Sequence, residues 1–237
     1  MASFELAELS VEVVRKDIKN IHLSVLPPDG HVRLAAPHRL RTEALRAYTL
    51  SRLAWIREQQ IEFCEQEREA PRRFVDRETH YVWGERRLLE LRSTAQGARV
   101  EVTPDRFLLH VRPGTDEERR ADIVNSWYRS ELRSEIAEVL PRWTARLGVS
   151  PTHIYLQRMK TKWGSCNHTS RTIRLNSDLA KKPRKCFEYI LVHELCHLIE
   201  PTHNQRFVDV LSEALPSWRD HRDLLNRLPL SHEEWDY

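Results

Sequence analysis

Apolar positions along this chain change their period several times. Between residues 10 and 37 they alternate or cluster among β-formers. Ser10–Lys16 (SVEVVRK), Ile21–Pro27 (IHLSVLP) and His31–Pro37 (HVRLAAP) read as strands, parted by Lys16–Asn20 and by the turn signal Pro27-Pro28-Asp29-Gly30. From Thr42 to about Glu69 the period becomes helical, with Leu45, Tyr48, Leu53, Ile56 and Phe63 on the repeating positions and Pro71 as the stop. A second β block follows. His80–Arg92 (HYVWGERRLLELR) predicts a hairpin around Gly84-Glu85, and Ala98–Pro113 (ARVEVTPDRFLLHVRP) another around Pro104-Asp105.

A long helix is predicted from Asp116 to Leu147, carrying Ile123, Trp127, Leu132, Ile136, Val139, Leu140 and Trp143, with Gly148 as its stop. Thr152–Met159 reads as a strand, the next residues as a loop, and Thr172–Asn176 as a short strand. Pro183 suits the first turn of a helix bearing Phe187, Ile190, Leu191, Leu195, Leu198 and Ile199, and Asn204–Leu215 and Ser217–Leu228 continue helically. No repeat or low-complexity segment is visible. The pattern predicts an α+β protein. A β-rich N-terminal region with one long helix, residues 1–112, precedes a more helical region, residues 113–237.

Composition narrows this little. The chain has 237 residues, 40% of them hydrophobic and 31% charged, enough for a core that needs no disulfides. The net charge of +3 is small, and both signs interleave, which gives nucleic acid only weak support as a partner. The start, MASFELAELS, has no secretory h-region, and no run approaches the roughly 18 apolar residues of a membrane span. Cys64, Cys166, Cys186 and Cys196 form no CxxC pair. A cytoplasmic protein with reduced thiols and no membrane partner is expected.

The chemistry concentrates in Ile190–His203 (ILVHELCHLIEPTH). On a helix, His193 and His197 lie about 40° apart, one turn above the other, so both imidazoles can reach one metal ion. Glu194 lies about 60° from His197, where its carboxylate can reach a water on that metal. This is the HExxH arrangement of a zinc hydrolase, with Glu194 as general base. A catalytic zinc takes a third protein ligand. Pro201 should end the helix and turn the chain back, which favours His203 and leaves Asp209, Glu213 and His221 as alternatives. The spacing equals that of the metzincins, but Glu200 stands where their glycine would be. A purely structural reading leaves two buried imidazoles without a bond, which is costly.

Other residues weigh toward ordinary roles. Cys196 faces another side of the helix and reads as core, Cys166 as core or loop packing, and Trp163 as packing beneath the site. Ser165 and Asn176 suit hydrogen bonds near the cleft or, equally, a strand end or turn, His168 a solvated loop, and Tyr189 packing one turn before His193. Lys160, Lys162, Arg171, Arg174, Lys181, Lys182, Arg184 and Lys185 make the segment before the helix basic, which fits a solvated surface or attraction of an acidic partner.

Lys160–Asn176 (KTKWGSCNHTSRTIRLN) and Tyr189–Leu211 (YILVHELCHLIEPTHNQRFVDVL) resemble the YgjP-type zinc metallopeptidases, relatives of the SprT-like and minigluzincin peptidases. The resemblance extends to Lys19–Pro37, to LAWIREQQ and to YVWGERRLLEL, so it covers most of the chain. It is specific where Trp163-Gly164-Ser165-Cys166, Asn176, the HELCH box, His203 and Phe207 fall in order. It implies a catalytic region from residue 113 built as a small sheet plus the HExxH helix. One Zn2+ per chain would be held by His193, His197 and His203, with Glu194 as base. It also implies a peptide or protein substrate paired along an edge strand, here about Thr172–Asn176. Through the SprT type it suggests a DNA-associated setting. Glu200-Pro201-Thr202 departs from the basic or small residues usual before the third histidine, and the tail LPLSHEEWDY has no counterpart. The rival reading is a non-catalytic zinc module acting through a protein or DNA-associated partner.

Overall fold

The computed structural model describes residues 2–6, 8–26, 30–65, 72–159 and 162–229. The Pro27-Pro28-Asp29 turn, the helix end near Glu69 and Pro71, the side chains of Phe63 and Cys64, Lys160, and the tail from Leu230 lie outside them. The chain divides into two units that part near residue 70.

In the first unit, strands β1 (Ala2–Leu6), β2 (Leu9–Lys16), β3 (His22–Leu26) and β4 (His31–Pro37) form a sheet of order β1-β2-β4-β3. Its outer pairs are antiparallel and its central pair, β2 with β4, is parallel. Alternation puts Val11, Val13, Val32 and Leu34 on the buried face, where Leu45 and Ile56 from the helices cover them. The single helix expected from Thr42 is two, α1 (Thr42–Ser51) and α2 (Leu53–Glu65). The break follows Thr49, whose buried hydroxyl donates to the Leu45 carbonyl at 2.9 Å, a back-bond that bends helices.

The second unit opens with the same strand order: β5 (Thr79–Val82), β6 (Glu85–Ser93), β7 (Arg99–Val102) and β8 (Arg106–Val111) run β5-β6-β8-β7. Again the outer pairs are antiparallel and the central pair, β6 with β8, is parallel. A topological repeat is therefore present where the sequence shows none, because strand order depends on turns and alternation rather than on residue identity. Both expected hairpins form. The β5–β6 turn has positive φ at Trp83 (51°) and Gly84 (85°), as the tight primed turns require.

Helix α3 (Glu117–Leu147) is capped by the Asp116 side chain, which accepts from the Arg119 N–H at 2.8 Å, and is closed by Gly148 at φ 64°. Then come β9 (His153–Gln157), β10 (Gly164–Asn167), β11 (Thr172–Asn176), a 3-10 turn (Ser177–Lys181), α4 (Arg184–Cys196), α5 (Gln205–Ala214) and α6 (Trp218–Arg227). The three strands form a sheet of order β10-β11-β9. Thr172–Asn176 is thus its central strand and not an edge, which corrects the expectation from sequence. The sheet's outer strands are β10, within the stretch read as a loop, and β9, and among the described residues each pairs only with β11.

One core joins Leu89, Phe107 and Leu109 of the four-stranded sheet, Val124, Tyr128 and Leu132 of α3, Ile173 and Leu175 of β11, and Phe187, Leu191 and Leu195 of α4. The boundary expected near residue 113 falls inside this unit. The tip of the β5–β6 hairpin also binds the segment leading into α4. Trp83 and Gly84 donate backbone N–H groups to the carbonyls of Ala180 (2.8 Å) and Lys181 (3.2 Å). Trp143 of α3 donates from its indole to Glu188 of α4 at 2.8 Å.

Candidate metal centre

Helix α4 is buried around most of its circumference, which fixes its rotation. It ends at Cys196 rather than at Ile199. His197 is its C-cap, still near helical backbone at φ −66° and ψ −14°. Beyond it the chain tightens, with the Leu198 and Ile199 N–H groups donating to Leu195 and Cys196 carbonyls. The Glu200 carboxylate accepts from the Thr202 hydroxyl at 3.0 Å, and Asn204 caps α5 by accepting from the Phe207 N–H at 3.1 Å. This compact turn brings His203 back to α4.

The three histidines meet. One ring nitrogen from each of His193, His197 and His203 lies within 4.8 Å of the others. The Nε2 atoms of His193 and His203 are 3.0 Å apart, close to the roughly 3.3 Å between two nitrogens on one tetrahedral zinc. His197 Nδ1 lies 3.1 Å from the Glu200 carbonyl, which can only accept. The proton therefore sits on Nδ1, and Nε2 presents a lone pair. Burial, with the neighbouring imidazoles adding to it, pushes His193 down to about 3, and burial also lowers His197. Uncharged imidazoles with converging lone pairs fit a cation well and one another poorly, so the donor set suits a metal ion.

Phe207 binds the group together. It is 3% exposed, and its ring centroid lies 4.9, 4.6 and 4.8 Å from those of His193, His197 and His203. Tyr189 meets His193 edge-on at 5.8 Å and stacks on Trp218, a packing role. Asp209, Glu213 and His221 are not in the cluster, and among the described residues it is the one such group of potential metal ligands. Asp209 accepts from Gln205, and His221 lies on α6. Cys196 is fully buried and Cys166 half-buried.

Glu194 is 5% exposed, and its Oε2 has no hydrogen-bond partner among the described residues. Burial pushes its carboxyl up to about 8, against the opposing pull of Lys162. A cation beside it would pull the same way as Lys162.

Strand β10 passes next to this carboxylate. Its register pairs Gly164 with Leu175 and Ser165 with Arg174, and the Asn176 N–H donates to the Trp163 carbonyl at 2.9 Å. Antiparallel alternation then turns the backbone groups of Gly164 and Cys166 away from β11, toward the outer edge. Asn176, 5% exposed, donates from its side chain to the carbonyls of Met159 (2.8 Å) and Lys162 (3.0 Å). The sequence assigns Asn176 a strand-end position and a place in the motif order, but not its hydrogen-bond partners. Its clamp on the loop before β10 depends on atoms 14 and 17 residues away.

The buried helix and its histidine cluster are what a metallopeptidase requires, and the chain belongs to a family of that class. Residues 19–228 match the family model for the YgjP-like metallopeptidase domain, so this chain is a member of the YgjP-like family. The crystal structure of the metallopeptidase zymogen of Pyrococcus abyssi abylysin is similar over 40% of this chain and 99% of that one, at 20% identity and a TM-score of 0.36. No curated protein matches the chain. Among the described residues, no helix is long and apolar enough to cross a membrane.

Proposed function

We propose that this chain is a zinc-dependent peptidase in which His193, His197 and His203 hold one Zn2+ and Glu194 is the general base. The observation that carries the reading is the convergence of three imidazole nitrogens within 4.8 Å, one residue along the helix from a buried carboxylate with an unpartnered oxygen. Zinc held there supplies Lewis acidity, lowering the pKa of a bound water and polarising a scissile carbonyl. The chain's own residues do the rest. Glu194 accepts the water proton at its carboxylate and delivers it to the departing amine. The Glu200 carbonyl keeps the His197 ring in its ligating tautomer, and the Phe207 ring keeps water from one side of the cluster.

An extended peptide would pair with the outer edge of β10, through the backbone N–H and C=O groups of Gly164 and Cys166. That edge runs beside Glu194, so a peptide paired there would bring a backbone carbonyl near the base.

The test is Glu194→Gln beside His203→Ala, assayed for zinc content and for hydrolysis of a peptide library and an unfolded protein. Glu194→Gln should keep about one zinc per chain and lose activity by about 10²- to 10⁴-fold. His203→Ala should lose most of its zinc. Wild type that takes up no zinc sinks the metal site. Wild type that holds zinc but hydrolyses no peptide returns the ion to a structural role.

A further inference from the structure

The glycine of Trp163-Gly164-Ser165-Cys166 has no conformational reason to be a glycine. It lies inside strand β10, paired with Leu175, and it is not among the residues with positive φ. What it lacks room for is a side chain. A Cβ at Gly164 would lie 2.6 Å from Glu194 Oε1, 2.8 Å from its Cγ and 3.0 Å from its Cδ. No real Cβ tolerates such contacts, so the carboxylate of Glu194 rests directly on the backbone of this one residue.

The approach is held from both sides. Helix α4 is fixed by its burial. The start of β10 is fixed by Asn176, which ties down the carbonyls of Met159, Lys162 and Trp163. Neither element can back away cheaply, whereas the end of a glutamate side chain can move.

We propose that Gly164 is a positioning residue for the general base, its bare backbone forming the seat that sets the Glu194 carboxylate against the metal site. The inference rests on the peptidase reading above for its kinetic consequence, but not for the contact itself. A methyl group at position 164 displaces the carboxylate, leaves the three histidines in place and leaves the fold intact. Displacing a reacting group by about 1 Å costs on the order of 10²-fold in rate.

The experiment is Gly164→Ala in the full, zinc-loaded chain, with kcat, KM, zinc content and a crystal structure of each protein. The expected result is about one zinc per chain, KM within about twofold, kcat down about 10²-fold, and the carboxylate shifted by about 1 Å. Unchanged kcat, or a carboxylate still in its wild-type position, overturns the proposal. Should Gly164→Ala fail to fold, Gly164→Ala with Glu194→Ala decides. Recovery of folding places the conflict at Glu194, and continued failure places it in the strand and overturns the proposal. If wild type hydrolyses nothing, the peptidase reading has failed, while the crystallographic shift still decides whether Gly164 seats the carboxylate.

Discussion

At the scale of single residues, one aromatic ring touches every imidazole of the cluster: Phe207 packs 4.9, 4.6 and 4.8 Å, centroid to centroid, from His193, His197 and His203. The i, i+4 spacing of His193 and His197 places two imidazoles on one face whatever the surroundings, and Pro201 announces the turn that returns His203. Phe207 is marked only by its place in the order of the family motif, since by period alone a phenylalanine four residues into a helical pattern reads as ordinary core. Its contact with all three imidazoles arises only once the turn and α5 are in place. Its removal should therefore act twice. Phe207→Ala should cost about 3–5 kcal/mol of stability, as large aromatic truncations in cores do. It should also weaken zinc binding by about 10- to 100-fold, because the rings it holds lose their orientation. Phe207→Leu should show a smaller loss of both. Chelator competition measures the affinity and urea unfolding the stability. An affinity unchanged in Phe207→Ala would show that the metal alone organises the rings.

At the scale of elements, β10 is where sequence reading failed, for a physical reason. Gly-Ser-Cys-Asn has little β propensity and no alternation, so nothing in it announces a strand. It becomes one by pairing with β11, whose Thr-Ile-Arg-Leu-Asn pattern was legible, and it takes the edge position from β11 in doing so. Asn176 at the end of β11 enforces this arrangement. Besides its two donated bonds, its Oδ1 accepts from the Asp178 N–H at 3.1 Å, which starts the 3-10 turn toward α4. Asn176→Ala would take a donor from the part-buried Met159 and Lys162 carbonyls and an acceptor from the Asp178 N–H, and should cost about 2–3 kcal/mol, near 1 kcal/mol per bond. Asn176→Asp keeps the acceptor for Asp178 but aims an oxygen at two carbonyls, so it should be at least as damaging. Urea unfolding of the three proteins checks this, and an Asn176→Asp protein as stable as wild type would refute the clamp. The split of α1 from α2 was hidden for a similar reason. The apolar period continues across Arg52, and only the Thr49 back-bond shows where the helix bends.

At the scale of the molecule, the α+β class was legible because the apolar period itself switches between two and 3.6. The division at residue 70 was not, because the second four-stranded sheet reads like the first, and what separates them is which core each one joins. His80 shows how firmly the second sheet belongs to the core of the unit that carries the three histidines. It is 3% exposed, its ring is stacked on Phe107 at 5.1 Å, and its Nε2 lies 3.8 Å from the Glu78 carboxylate without a hydrogen bond. Burial, helped by the charges of Arg72 and Lys181, lowers it from 6.5 to about 3. The folded state thus holds His80 neutral where the unfolded chain would protonate it. The stability this contributes is whole above pH 6.5 and is lost as pH falls toward 3, at up to about 1.4 kcal/mol per pH unit. Carboxylates titrate in the lower part of the same window, so the informative quantity is a difference. Unfolding free energies of wild type and His80→Leu, measured at pH 7, 6 and 5, should converge or cross as the pH falls, with wild type declining more steeply by about one bound proton. Parallel curves would mean that His80 is protonated in the folded protein after all, paired with Glu78 through a shift of the β5 strand, and that the core joining the second sheet to α4 is looser than its packing suggests.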